Sequence, residues 1–78
     1  MRYPVIDVSR TGAKIRDAIR SDELGRSIPE TSAFLGISVS SLYRVFRGER
    51  MLSLDAIFAL SEYLGVTVND LIVVSVSA

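Results

Sequence analysis

The sequence contains no cysteine and no histidine, and these two absences narrow its chemistry. Without cysteine the chain can form neither a disulfide nor a thiolate metal site. Without histidine it lacks the most common general acid or base and the most common metal ligand. Asp17, Asp22 and Glu23 lie close together in the sequence, but their spacing is not that of a metal site. We therefore expect no enzymatic activity, no cofactor and no metal.

Long hydrophobic runs are also missing. The longest aliphatic run, LIVV at residues 71–74, is far shorter than the roughly 18 residues that indicate a membrane span. The amino-terminal stretch MRYPVIDVSR lacks the apolar core of a signal peptide. From these features we expect a cytoplasmic protein that does not bind a membrane. Its 78 residues, 49% of them hydrophobic, predict one small globular domain over residues 1–78.

Basic residues are absent after Arg50, although the chain as a whole is neutral. Residues 1–50 contain nine basic and six acidic residues and so carry a charge of +3, whereas residues 51–78 contain three acids and carry −3. A chain that is neutral overall can still neutralise phosphates through one basic end. The alternative explanation is ordinary solvated surface charge.

The first of five predicted helices begins near the amino terminus and ends in SDELG at residues 21–25. Three residues are candidates for its cap: Asp7, Ser9 and Thr11. Gly12 leaves the first residue of the helix undecided, because glycine is unfavourable inside a helix. Further along, three apolar residues recur at helical spacing and are expected to face the core: Ile15, Ala18 and Ile19.

The second helix begins at the capping box SIPE, in which Ser27 is the cap and Glu30 reaches back to it. It ends at Gly36 in a left-handed turn. Ser38 then caps a third helix, at about residues 38–47. Its apolar positions are predicted to pack in the core: Leu42, Val45 and Phe46.

Ser53 caps the fourth helix, LDAIFALSEYL, which ends at Gly65. Its apolar positions form a broad stripe that is expected to be buried: Leu54, Ile57, Phe58, Leu60 and Leu64. Thr67 and Asp70 then form a cap pattern over a short fifth helix that runs through Leu71.

Both ends of the chain have the β-branched composition of short strands. The arm at residues 1–9 includes RYPVIDV, and the tail at residues 72–78 includes IVVSV. A lone apolar tail would be an aggregation hazard, so we expect it to pair either with the arm or with a second chain; a frayed end is the third alternative. Pairing with a second chain makes a homodimer, with contact candidates at Val73, Val74 and Val76.

The stretch from SIPETSAFLGISVSSLYRVFRGER through MLSLDAIFALSEYLGVTVNDL resembles the Cro and phage-repressor helix-turn-helix family, also called XRE-type, over about residues 13–72. The most specific parts are LGIS at the turn, RGER after the third helix, and the last two helices at the expected distance. The resemblance implies a mainly α, five-helix, phage-repressor-like domain, to which the strand-like ends are added. It also implies binding to double-stranded DNA, usually as a dimer, with the third helix in the major groove.

Residue by residue, the resemblance implies a set of DNA contacts. The base-facing candidates are Val39, Ser40 and Arg44, with Tyr43 at the edge. The phosphate-facing candidates lie at the helix starts and in the turn after the third helix: Ser27, Ser38, Ser41, Arg47 and Arg50. Arg44 can form a bidentate pair with guanine, and Val39 can contact a thymine methyl group. The alternatives are plain surface charge for Arg44 and packing against a neighbouring helix for Tyr43.

Three departures from the family pattern make structural sense. Ile28 replaces a phosphate-binding Gln and is expected to pack inward. Thr31 and Ser32 replace a Leu-Ala pair, and their hydroxyl groups can bond back to helical carbonyls. Ile19 and Phe46 stand where many relatives have an Arg and a Glu. Replacing both partners of a buried ion pair by apolar groups can be neutral or stabilising, so both residues are expected in the core.

These features predict a sequence-specific, double-stranded-DNA-binding regulator of transcription, of the phage or bacterial repressor type. The first alternative is an antitoxin that binds DNA and also a toxin, by β-augmentation through its apolar tail. The second is a protein-binding module that has kept the fold without binding DNA, which the acidic second part of the chain favours. The expected partners are thus DNA, a second copy and, in the alternatives, a toxin or another regulator.

Overall fold

The computed structural model describes residues 2–77 as four α-helices and one two-stranded antiparallel sheet. The elements in chain order are β1 (Tyr3–Ile6), α1 (Val8–Arg20), α2 (Ile28–Leu35), α3 (Val39–Phe46), α4 (Leu54–Leu64), a one-turn 3₁₀ helix (Val68–Asp70) and β2 (Val74–Ser77). This is the mainly helical class with strands at both ends that the sequence predicts. Residues 1 and 78, the outermost positions of the predicted arm and tail, lie outside the described residues. Within residues 2–77, no helix has the length and apolar character needed to cross a bilayer.

Each α-helix begins at a polar residue whose side chain accepts a backbone N–H from the first turn. The caps of α1 to α4 are, in order, Asp7, Ser27, Ser38 and Ser53. For α1 the structure selects Asp7 from the three candidates, because its Oδ1 accepts the Arg10 N–H at 2.9 Å. Gly12 therefore lies inside α1 and not at its start. The predicted left-handed glycines end α2 and α4, at Gly36 and Gly65.

The helix count differs from the expected five, because the last predicted helix is a single 3₁₀ turn. Its capping box is present as predicted: Thr67 Oγ1 accepts the Asp70 N–H at 3.2 Å, and Asp70 Oδ2 accepts the Thr67 N–H at 3.0 Å. The turn ends at Leu71, whose side chain is fully buried in the core. The chain then leads directly into β2.

One buried apolar cluster joins α1, α3 and α4. Its members are Ile15, Ile19, Leu42, Val45, Phe46, Leu52, Ile57, Leu60 and Leu71. Ile19 and Phe46 both belong to it, as the paired departure from the family pattern predicts. The half-buried Ile28 and Leu35 of α2 pack against the same cluster, so Ile28 faces inward as predicted.

Two buried hydroxyl groups lie on the inner side of α2. Thr31 Oγ1 donates to the Ser27 carbonyl oxygen, and Ser32 Oγ donates to the Pro29 carbonyl oxygen, both at 3.0 Å. A buried hydroxyl without a partner would be costly, and these bonds back to the helix remove that cost. The predicted bonding of Thr31 and Ser32 is therefore confirmed.

A close approach between α1 and the end of α3 depends on Gly12. A Cβ atom on this residue would lie 2.1 Å from the Val45 carbonyl oxygen and 3.1 Å from that of Phe46. Glycine lowers helix propensity by about 1 kcal/mol relative to alanine, but alanine at this position would force the two helices apart. This backbone contact sets the distance between α1 and α3.

Two of the apolar side chains expected in the core from α4 are instead exposed. Ile57 and Leu60 are buried, whereas 75% of Leu54 and 59% of Phe58 is accessible to solvent. The predicted stripe is wider than the side of α4 that the other helices cover, and Leu54 and Phe58 lie one helical turn apart on its uncovered edge. The expectation that these two residues are buried is therefore wrong.

The two strands pair with each other, so the tail binds the arm of its own chain. The antiparallel register places Tyr3 opposite Ser77, Pro4 opposite Val76, Val5 opposite Ser75 and Ile6 opposite Val74. Residues directly opposite each other place their side chains on the same side of the sheet. Pro4, Ile6, Val74 and Val76 thus share one side, and all four are exposed. We call these four residues the apolar ribbon face.

Thr11 connects this sheet to α1. Its buried hydroxyl donates to the Val73 carbonyl oxygen at 3.3 Å and accepts the Val73 N–H at 3.0 Å. The backbone N–H of Asp7 donates to the same carbonyl at 2.8 Å. Because a two-stranded sheet is only marginally stable by itself, these bonds support the pairing of β1 with β2 by attaching the chain before β2 to the start of α1.

An ion pair organises the loop between α1 and α2. The Asp22 side chain, only 4% exposed, accepts from Arg26 Nε at 2.8 Å and from Arg26 Nη2 at 3.1 Å. Arg26 also donates to the Tyr63 carbonyl oxygen and lies over the Tyr63 ring, 3.7 Å from its centroid. The Arg26 side-chain hydrogen bonds, helped by the backbone N–H groups of Arg26 and Leu24, lower the pKa of Asp22 to about 2. The loop is thereby held against α4.

The Thr11 connection can be tested by Thr11→Val, which keeps the shape of the side chain but removes both bonds to Val73. We expect the free energy of unfolding, measured by chemical denaturation, to fall by about 1–3 kcal/mol. Thr31→Val is the matched control, since the Ser27 carbonyl keeps its bond from the Thr31 N–H at 3.0 Å. Equal losses in the two variants would contradict a special role for Thr11.

The Asp22 ion pair predicts an acid dependence of stability. Because folding lowers the pKa of Asp22 from 3.8 to about 2, its contribution is complete above pH 3.8 and is lost as the pH falls toward 2. We expect Asp22→Asn to be less stable near neutral pH and to show a flatter fall in melting temperature over that range. Asp17→Asn, which removes the same charge from an exposed position, should keep the wild-type profile. An unchanged profile in Asp22→Asn would contradict the prediction.

Candidate nucleic-acid interface

The turn at residues 36–38 joins α2 to α3 and fixes the angle between them. Gly36 adopts the left-handed conformation with φ of 70°. In that conformation the Gly36 N–H donates to the Ala33 carbonyl oxygen at 3.2 Å, and the Ile37 N–H donates to that of Ser32 at 3.1 Å. The chain then enters α3 at its Ser38 cap. Two short helices are thus connected by a turn whose geometry is set by its own hydrogen bonds.

The two sides of α3 have different roles. Leu42, Val45 and Phe46 are buried in the core and hold the helix in place. At 100° per residue, the four predicted base-contact residues span an arc of about 140° on the other side of the helix: Val39, Ser40, Tyr43 and Arg44. Ser40, Tyr43 and Arg44 are exposed, and Val39 is half-buried. The structure therefore brings the predicted base contacts together on one accessible surface.

Tyr43 is shared between that surface and the core. Its side chain is 41% exposed, and its ring packs edge-on against Phe46 with 5.6 Å between the ring centroids. This contact limits how far the ring can move. Arg44, by contrast, extends from the surface with 56% of its side chain exposed. Of the two, Arg44 is the freer to reach a ligand.

The predicted phosphate contacts divide into capping serines and exposed arginines. Ser38 Oγ accepts the Ser41 N–H and donates to Ser41 Oγ, both at 3.0 Å. Ser27 forms the predicted capping box with Glu30. These three hydroxyl groups are already hydrogen-bonded within the chain, whereas Arg47 and Arg50 are exposed after α3.

Glu49 also lies among these residues and is not one of the contacts predicted from the sequence. Its Oε2 accepts from Arg47 Nε at 2.5 Å, and its Oε1 lies 3.9 Å from Arg44 Nε. The hydrogen bond and charge of Arg47, with a smaller contribution from the charge of Arg44, lower the pKa of Glu49. The signal was present in RGER, which places an acid two residues after Arg47. The candidate interface therefore contains one carboxylate between two guanidinium groups.

A sequence-family model described as "Helix-turn-helix" matches residues 15–71, from α1 through the 3₁₀ turn. The chain belongs to the helix-turn-helix family. This membership confirms the XRE-type resemblance predicted from the sequence. The matched residues include α2, the turn at 36–38 and α3, so the family assignment covers the whole candidate interface.

The fold of this helix-turn-helix protein is similar to that of the restriction-modification controller protein C.AhdI from Aeromonas hydrophila. The two share a TM-score of 0.70 and 26% sequence identity, over 83% of this chain and 91% of the other. No curated protein sequence matches this chain significantly. The family and this structural similarity support a DNA-binding regulator of transcription.

Proposed function

We propose that this helix-turn-helix protein represses transcription by binding a specific sequence in double-stranded DNA, with α3 in the major groove. The observation that carries the proposal is the division of α3 into a buried apolar side and an exposed side with Arg44 at its edge. A helix eight residues long extends ~12 Å, and the major groove is about 12 Å wide. The likeness to a restriction-modification controller supports gene control as the biological role.

In this proposal the exposed residues of α3 and its turn have separate tasks. Arg44 donates two hydrogen bonds to a guanine edge, and Val39 contacts a thymine methyl group. Ser40 is free to bond to a base or to a phosphate. Arg47 and Arg50 contact phosphates and provide affinity without sequence information. Sequence recognition therefore depends on few side chains, with Arg44 the most important.

We further propose that the protein binds DNA as a homodimer formed through the apolar ribbon face. The exposed side of that sheet is entirely apolar, and each strand has one edge without a neighbouring strand in residues 2–77. Such edges and faces favour pairing with another chain. Val74 and Val76 are the central candidates, whereas Val73 is half-buried and bonded to Thr11. A symmetric dimer would place two α3 helices on half-sites about 34–36 Å apart.

The role of Arg44 predicts the outcome of selecting bound sequences from a random pool of duplexes. We expect wild-type protein to recover one preferred site, and Arg44→Ala to bind that site with about 5- to 150-fold lower affinity, the loss of one bidentate base contact. The sequences recovered with Arg44→Ala should also lose their base preference at one base pair. Arg20→Ala removes the same charge from an exposed position on α1 and serves as the control. Recovery of the same sequence by Arg44→Ala would reject Arg44 as the reader.

The dimer surface can be tested by adding charge to the apolar ribbon face with Val74→Lys and Val76→Lys together. We expect a shift from dimer to monomer mass in sedimentation or light scattering, because charged side chains on edge strands oppose pairing. These substitutions keep the backbone bonds of Val73, which a deletion of the tail would remove. Leu54→Lys with Phe58→Lys is the matched control on the exposed apolar part of α4. Loss of the dimer only in the α4 variant would move the interface there.

A further inference from the structure

The carboxylate of Glu49 contacts two arginines of the candidate interface at once. Its Oε2 bonds to Arg47 Nε at 2.5 Å, and its Oε1 is 3.9 Å from Arg44 Nε. The Glu49 backbone N–H donates to the Arg44 carbonyl oxygen at 2.9 Å. The main chain of Glu49 is thereby attached to the last turn of α3, so its side chain stands beside the predicted reading surface.

These ion pairs have little to do with the stability of the fold. All three side chains are about half exposed to solvent, and exposed ion pairs of this kind contribute little to unfolding free energy. Their effect lies in where they hold the two guanidinium groups and in the negative charge they place at the surface. Both effects concern the binding of DNA.

We propose that Glu49 is a specificity-determining residue that positions Arg44 for base recognition and weakens the sequence-independent attraction of the interface for phosphate. The proposal rests on the DNA-binding function proposed above. It assigns to Glu49 two effects, one on the geometry of Arg44 and one on the attraction of Arg47 to phosphate.

The first effect, on the geometry of Arg44, depends on which N–H groups of its guanidinium remain available for DNA. Arginine presents five N–H donors in a fixed planar arrangement, and Glu49 faces the Nε of Arg44. The two terminal Nη groups are left for the O6 and N7 acceptors of guanine, which is the pairing that discriminates this base. An arginine that is already oriented loses less conformational freedom on binding. Glu49 therefore favours the complex in which Arg44 meets a guanine.

The second effect acts at every DNA sequence. Phosphates lie along the whole duplex, and Glu49 competes with them for Arg47 while repelling them with its own charge. Arg47 lowers the pKa of Glu49, so the carboxylate remains ionised near neutral pH. This repulsion lowers the affinity for correct and incorrect sites by a similar factor, so it weakens general attraction to DNA without changing the ratio of the two affinities. The ratio is raised by the first effect alone, because only a correct site offers the guanine for which Glu49 orients Arg44.

Glu49→Gln tests the proposal, with affinities measured for the selected duplex and for a scrambled duplex over a range of salt concentrations. We expect tighter binding to the scrambled duplex, and a plot of log K against log salt that is steeper by about 0.9 if Arg47 gains one phosphate. The ratio of the two affinities should fall by about fivefold or more. Glu49→Asp, which keeps the charge, should restore part of the ratio.

Two further variants separate positioning from net charge. Glu62→Gln changes the charge by the same amount on α4, and we expect it to leave the ratio unchanged. In an Arg44→Ala background, Glu49→Gln should also leave the ratio unchanged, because the residue it positions is gone. If Glu49→Gln alone leaves the ratio at its wild-type value, or lowers it equally with and without Arg44, the proposal is overturned. Failure of the wild-type protein to prefer any duplex would instead overturn the proposed function.

Discussion

At Gly12 the backbone of α1 lies so close to the last turn of α3 that no side chain fits between them. The contact is backed by the buried cluster in which Ile15 and Ile19 meet Leu42, Val45 and Phe46. Because α3 is only eight residues long, it would not be a stable helix by itself. Its orientation depends on α1, and the position of every residue on its exposed side follows from that orientation.

In the proposed function, the same short helix supplies both part of the core and the binding surface. Its buried positions are all apolar, which leaves few exposed positions for contacts with DNA. Arg44, Arg47 and Arg50 carry the positive charge of that surface, and Glu49 removes part of it. A surface with so little charge has weak general attraction for phosphate. Selectivity would then come from a small number of well-placed contacts, which is consistent with a protein whose net charge is zero.

At the ends of the chain, the tendency of two apolar strands to aggregate is countered by contacts between residues that are distant in sequence. Two apolar strands that would be prone to aggregation alone pair with each other, and Thr11 connects the pair to α1 across 62 residues of sequence separation. Pairing provides hydrogen-bond partners along one edge of each strand and leaves the apolar ribbon face exposed. This exposed face is the surface through which we propose that two copies of the chain join.

The sequence by itself determined where α2, α3 and α4 begin and where α2 and α4 end, since caps such as Ser27 and Ser38 and stops such as Gly36 act on backbone groups within a few residues. It also indicated the inner side of α3 and the hydrogen bonds of Thr31 and Ser32, which depend on helical periodicity alone. Only the tertiary structure decided four other features. These are the pairing of the tail with the arm of its own chain, the exposure of Leu54 and Phe58, the close approach at Gly12, and the placement of Glu49 between two arginines. Each of these features depends on which surfaces the packed helices cover, or on which side chains the packing and the turn after α3 bring together. A local sequence pattern contains no information about such contacts between distant residues.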